Sequence, residues 1–268
     1  MKRRGFLVSS LAASALAGAT PSTESDARPA PAAGGREYYE LRKYHLRRGP
    51  QQRGIDNYFR DAAIPALNRL GIKPVGVFNT TIGPGNPTLY VLLPHASIES
   101  AMTASERMAA DPQYLQDGAA FINTPATEPA YERIESFLLR AFAGMPNLDA
   151  PASAAEHQPR IFELRTYESH SKKANRTKIE MFNTAEMAIF RRNGLRPVFF
   201  GETMVGAGMP CLTYMLTFAN VEERMRRWAA FVADPEWKKL SSTPGYTDPE
   251  IVCNISNLIL SPTPYSQI

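Results

Sequence analysis

A chain of 268 residues with 44% apolar and 21% charged residues has globular proportions and room for one large domain or two ordinary ones. The formal charge of +4 falls to +1 once Lys2, Arg3 and Arg4 are set aside. A chain that nearly neutral has no basic footprint, which excludes nucleic acid as a partner.

The three basic residues open an address. Lys2-Arg3-Arg4-Gly5-Phe6-Leu7 resembles a twin-arginine export motif, and the apolar run from Phe6 to Ala17 is too short to span a bilayer. Ala17-Gly18-Ala19 supplies the small residues a signal peptidase needs, so residues 1–19 are expected to be a cleaved signal peptide. The mature protein is then expected in the periplasm or cell envelope. Residues 20–35, rich in Pro, Ala, Ser and Gly, are expected as a disordered lead-in. No later stretch is apolar enough to cross a membrane.

From residue 36 the pattern alternates. Glu37 to Leu46 reads as a strand, and Gly49-Pro50 turns the chain into a helix over about Arg53 to Leu70. Ile55, Phe59, Ala62, Ala66 and Leu70 supply its buried spacing. Pro65 is expected to kink or break that helix, and Gly71 to close it. Val75 to Ile82 and Leu89 to Leu93 form a hairpin around Gly83-Pro84-Gly85-Asn86-Pro87. Ser97 caps a second helix to Ala110, an irregular segment with room for one short helical turn follows from Asp111, and Tyr131 to Phe142 is the last strand. The order is β-α-β-β-α-β, a ferredoxin-like unit.

After a Pro-, Gly- and Ala-rich linker at 143–159, the order repeats over 160–268. Tyr39-Glu40-Leu41-Arg42-Lys43-Tyr44 returns 123 residues later as Phe162-Glu163-Leu164-Arg165-Thr166-Tyr167. The hairpin Gly83, Gly85 and Pro87 returns as Gly206, Gly208 and Pro210 at the same spacing. A β-α-β-β-α-β unit leaves one sheet face bare, and two copies in one chain can bury those faces together. The strand order 4-1-3-2 would put Cys211 and Cys253 on strands separated by a third, roughly 10 Å apart and too far for a disulfide. Two free, mostly buried thiols are expected.

Glu-Leu-Arg-x-Tyr on the first strand, Gly-x-x-Pro-Val before the second and Asp234-Pro235-Glu236-Trp237 after the last long helix resemble the NIPSNAP family. The first copy departs from it at Tyr114 and Pro65. The resemblance covers both copies and implies an α+β fold. Two ferredoxin-like repeats would form a dimeric α+β barrel within one chain, a monomer that is its own pseudo-dimer, with further self-association left open. It carries over no catalytic residue.

Strand alternation groups Glu40, Arg42 and Tyr44, and likewise Glu163, Arg165 and Tyr167, on one face. With Phe162 and Leu164 assigned to a packed layer, the Glu-Arg-Tyr stripe is expected to point into the barrel or its mouth. Arg with Tyr can hold an anionic or carbonyl molecule, so these six residues are the ligand-binding candidates. The competing reading pairs each Glu with an Arg as structure alone. His45, His95, His157 and His170 lack metal-ligand spacing and read as exposed loop residues, so no metal or cofactor is expected. Asp234 should cap a short helix on which Trp237 packs inward. Val221, Met225, Trp228 and Val232 should face the core, with the Glu222 to Arg227 charges solvated. Three functions remain open: a small-molecule binder, a cofactor-independent oxygenase or isomerase of the barrel type, and a non-catalytic interaction module.

Overall fold

The computed structural model describes residues 35–268 except Asn86 and His157. The expected signal peptide, and the lead-in up to residue 34, lie outside the described residues. The first repeat comprises β1 (Tyr38–His45), α1 (Pro50–Tyr58), a π-helical turn (Phe59–Ala63), α2 (Ile64–Arg69), β2 (Gly76–Ile82), β3 (Thr88–His95), α3 (Ile98–Ala109), α4 (Pro112–Asp117), α5 (Ala119–Ile122) and β4 (Arg133–Ala141). The linker holds one turn of helix, α6 (Ala152–Ala155). The second repeat comprises β5 (Ile161–Glu168), α7 (Lys172–Met181), a π-helical turn (Phe182–Glu186), α8 (Met187–Arg192), β6 (Arg196–Val205), β7 (Cys211–Phe218), α9 (Val221–Ala233), α10 (Pro235–Ser241), α11 (Asp248–Ile251) and β8 (Asn254–Pro262).

Local chemistry places most of these boundaries. Ser97 caps α3 by accepting from the Ser100 N–H, and its counterpart Asn220 caps α9 by accepting from that of Glu223. Asp111 and Asp234 cap α4 and α10, each with a proline in the first turn, so the short helical turn allowed after Asp111 becomes two short helices, α4 and α5. Both hairpins need left-handed glycines, at φ 73° for Gly85 and for Gly208. Pro65 does not end its helix. The turn before it widens, with the Ile64 N–H reaching back to the Phe59 carbonyl, and the same widening occurs in the second repeat where Ala188 replaces the proline. A widened turn relieves the clash between a proline ring and the preceding carbonyls.

The eight strands close into one barrel in the order β1-β3-β2-β8-β5-β7-β6-β4. Each repeat contributes four strands in the expected 4-1-3-2 arrangement. The seams are antiparallel pairings of β2 with β8 and of β4 with β6, which leave neither repeat with an open edge. The interior is solid. Tyr39, Leu41, Phe78, Phe162, Leu164, Phe199, Met215 and Leu260 fill it, none more than 4% exposed. Phe78 meets Phe162 at 4.9 Å between ring centroids and Tyr39 meets Phe199 at 5.0 Å, so the contacts cross from one repeat to the other. Two further cores lie outside the barrel, between each half-sheet and its helices.

Three expectations need correction. The Glu-Arg-Tyr stripe points away from the barrel interior, toward the helices, because Tyr39 and Leu41 with Phe162 and Leu164 take the inner face. Cys211 is buried on β7 but Cys253 is exposed ahead of β8, although both are free as expected. On α9, Val221, Met225 and Val232 are 40%, 62% and 58% exposed. The inward residues are Phe231, Trp228 and Arg224, the last drawn in by a buried carboxylate, Glu163. Among the described residues no helix is long and apolar enough to cross a membrane.

Candidate functional site

The two Glu-Arg-Tyr stripes occupy equivalent places, yet what covers them differs. In the first repeat, Arg42 grips Glu40 with two hydrogen bonds, Nε to Oε1 at 2.7 Å and Nη2 to Oε2 at 2.8 Å. Ser136 on β4 donates to Glu40 at 2.7 Å, and the Nε2 of the buried His95 lies 3.8 Å from Glu40 Oε2. His95 is therefore a core residue, and His45 bonds Glu135 at 2.8 Å on β4, so neither is the exposed loop histidine expected. In the second repeat Glu163 is fully enclosed. It accepts from Arg165 at 3.0 Å, Arg224 at 2.9 Å, Trp228 Nε1 at 2.6 Å and Asn257 at 3.1 Å. Each Glu thus pairs with the Arg of its own strand, and the structural reading of the stripe is correct as far as the carboxylates go.

The difference lies above the arginines. Trp228 of α9 sits 4.7 Å over the Arg165 guanidinium, Phe231 is 5.6 Å from Trp228, and Trp237 of α10 is 4.4 Å from Phe231. These aromatics fill the space between β5 and the helices. Tyr167 closes the remainder, bonding Tyr214 at 2.9 Å while Arg165 Nη2 donates to it at 3.2 Å. At the positions 123 residues earlier the first repeat has Ser105, Met108 and Tyr114. The smaller side chains leave a cavity of about 540 Å³ whose walls include Arg42, Tyr44, Ser105, Met108, Phe121 and Tyr131. Tyr58 and Tyr114 reach across it and share a hydroxyl–hydroxyl hydrogen bond of 2.8 Å.

Electrostatics fix the protonation of this cavity. Burial works against the Glu40 carboxylate, but the nearby His95 ring and the hydrogen bonds from Arg42 and Ser136 outweigh it and hold the pKa at about 2. Burial likewise opposes the charge on Arg42, and the neighbouring Tyr44 and Glu40 more than compensate. Burial pushes the Tyr44 and Tyr58 hydroxyls up, Tyr58 far above its usual range. At neutral pH the wall therefore presents one pinned guanidinium and the protonated Tyr44 and Tyr58 hydroxyls. Glu40 occupies Arg42 Nε and one hydrogen of Nη2, and the Tyr44 hydroxyl is a further hydrogen-bond partner of the guanidinium. Among the described residues, no Asp, Glu or His lines the cavity.

Of the six residues singled out from sequence, Arg42 and Tyr44 line the cavity. Glu40 stands behind Arg42 as its anchor. Glu163, Arg165 and Tyr167 belong to the half packed by Trp228, Phe231 and Trp237. Sequence reasoning missed Ser105 and Tyr58. Aligning the repeats at their spacing of 123 sets Ser105 opposite Trp228, a loss of volume legible in the sequence. Tyr58 stands opposite Met181, which signals nothing until the helix is folded. The second repeat also buries an ion pair with no counterpart in the first: Lys178 Nζ lies 3.0 Å from Glu186 Oε2, where the first repeat has Ile55 and Ala63. Among the described residues, no group of three or more His, Cys, Asp and Glu side chains could hold a metal ion.

The fold is similar to that of a candidate monooxygenase from Lactobacillus acidophilus, at a TM-score of 0.57 and 10% identity over 85% of this chain and 94% of that one. At that identity the likeness concerns the fold alone. An uncharacterised NIPSNAP-like domain protein from Burkholderia xenovorans is 25% identical over 40% of this chain and 88% of its own, with a TM-score of 0.36. A NIPSNAP family protein of unknown function from Agrobacterium tumefaciens is 20% identical over 40% and 91%, also at 0.36. No curated protein matches the chain. The NIPSNAP family model matches twice, over residues 39–145 and 162–267, one match to each half of the barrel. With both halves matched, the chain belongs to the NIPSNAP family.

Proposed function

We propose that this protein binds a small organic molecule through an oxygen acceptor (a carbonyl, phenol or carboxylate) in the cavity above Arg42 of the first repeat. The observation that carries the reading is Ser105, which leaves open over Arg42 the volume that Trp228 fills over Arg165. A cavity of about 540 Å³ falls within the range of small-molecule sites, and its aromatic wall with a few convergent donors has their usual chemistry. The pinned guanidinium gives a planar acceptor a fixed partner, and the Tyr44 and Tyr58 hydroxyls stay protonated to donate beside it. The basic and apolar residues at positions 2–17 support an exported protein working in the periplasm or cell envelope.

Native mass spectrometry of the intact protein, purified from its own host, tests the reading. The wild type and an Arg165→Ala variant should carry a small-molecule adduct that Ser105→Trp loses while keeping its circular dichroism spectrum. An adduct retained by Ser105→Trp, or lost equally on Arg165→Ala, would overturn the placement. Fractionation of cells expressing the full chain tests export, and a cytoplasmic protein of full length would refute it.

A further inference from the structure

The cavity above Arg42 has a neighbour of different character. A second cavity, of about 640 Å³, lies toward α1 and the α4–α5 segment, with Arg48, Pro50, Gly54, Asn57 and Ala120 in its wall. Tyr58, Phe121, Thr124, Pro129 and Ala130 line both spaces. Tyr58 and Phe121 stack at 4.0 Å between ring centroids with 12° between planes, so the shared wall includes a flat aromatic pair. Phe121 rides on α5, a four-residue helix with no buried residue, set between Gly118 and Asn123. Phe121 also meets Tyr131 at 6.0 Å between ring centroids, so the stack is backed by the core of the first repeat.

The chemistry of the two spaces is complementary. The inner one presents the Arg42 guanidinium and phenolic hydroxyls. The outer one presents ring faces and small side chains, with charged residues such as Arg48 and Asp61 around it. We infer that the two cavities form one bipartite site for an elongated amphipathic molecule, an aromatic carboxylate or phenol bearing an alkyl chain. The oxygen-bearing head sits on Arg42, and the chain passes the Tyr58–Phe121 pair into the outer space. This rests on the proposed binding of an oxygen-bearing head in the inner cavity. It adds the class of molecule and the residues that select chain length.

Titration calorimetry of the full chain with benzoate and its 4-n-alkyl homologues, below their micelle concentrations, reads each half separately. Affinity should rise about threefold to fourfold per methylene, the usual gain for burying one, until the outer space is full. Gly54→Phe should abolish that rise and leave benzoate itself unchanged. Gly54 has open space where a Cβ would be placed, and a helix interior tolerates phenylalanine better than glycine. Ala120→Trp, at an exposed position of α5 in the wall of the same space, closes it independently should Gly54→Phe not fold. Ser105→Trp should weaken every homologue. If benzoate fails to bind, the inner-cavity reading falls. If benzoate binds but added methylenes gain nothing, or gain equally in Gly54→Phe and Ala120→Trp, the bipartite site falls and the inner cavity stands.

Discussion

The buried pair Lys178–Glu186 is a sharp test of how the second repeat is held together, because the first repeat supplies its own replacement. Both side chains are 2% exposed or less, with 3.0 Å between Lys178 Nζ and Glu186 Oε2. At an effective dielectric of about 20, a pair at that distance attracts by about 5 kcal/mol, and removing each ion from water costs several kcal/mol. The intact pair is then near break-even, whereas either partner left alone is strongly unfavourable. Lys178→Ile strands Glu186, whose carboxyl is already pushed up by burial despite the lysine. It should cost about 3–5 kcal/mol. Glu186→Ala should cost less, because Asp248 lies 3.9 Å from the ammonium and the Phe182 ring centroid 5.0 Å away. The double variant, which restores the Ile and Ala of the first repeat, should fall within about 1–2 kcal/mol of wild type. Urea unfolding followed by far-ultraviolet circular dichroism gives the double-mutant cycle directly. Single-variant costs that simply add in the double variant would refute the reasoning.

Two other outcomes follow from the same structure. The Glu40 carboxyl titrates at about 2 when folded and near 4.5 when free, a depressed pKa, so its contribution is present above 4.5 and lost as pH falls toward 2. That amounts to about 3 kcal/mol, and urea midpoints measured between pH 6 and 2 should fall less steeply in Glu40→Gln; equal slopes would place the acid sensitivity elsewhere. Exposed Cys253 should react with a thiol reagent at once and buried Cys211 only on unfolding, so one fast thiol per chain is expected and two would contradict the β7 burial.

Much of this molecule is readable from the repeat. A spacing of 123 residues carried through glycines, prolines and the Glu-Leu-Arg-x-Tyr strand specifies two β-α-β-β-α-β units, because each of those residues encodes a local conformation. The caps Ser97, Asp111 and Asp234 behave for the same reason: a capping side chain bonds backbone only two or three residues away. The expectations that failed concern facing. Alternation on β1 separates Tyr39 and Leu41 from Glu40 and Arg42 but does not say which set turns inward. That depends on Phe78, Phe162 and Phe199 arriving from other strands to fill the barrel. Val221 and Met225 keep helical spacing and still face solvent, because the carboxylate of Glu163, 61 residues from Arg224, draws Arg224 to the inner side.

The site divides along the same line. The sequence by itself determined that there are two copies of one unit, where their strands and helices begin, and that each carries a Glu-Arg-Tyr stripe, since these depend on bonds between near neighbours. Only the tertiary structure decided that the stripes face the helices and that one packs under Trp228 while the other borders a cavity. That outcome is a difference of packed volume between Ser105 and Trp228, and volume has meaning only once distant side chains compete for the same space.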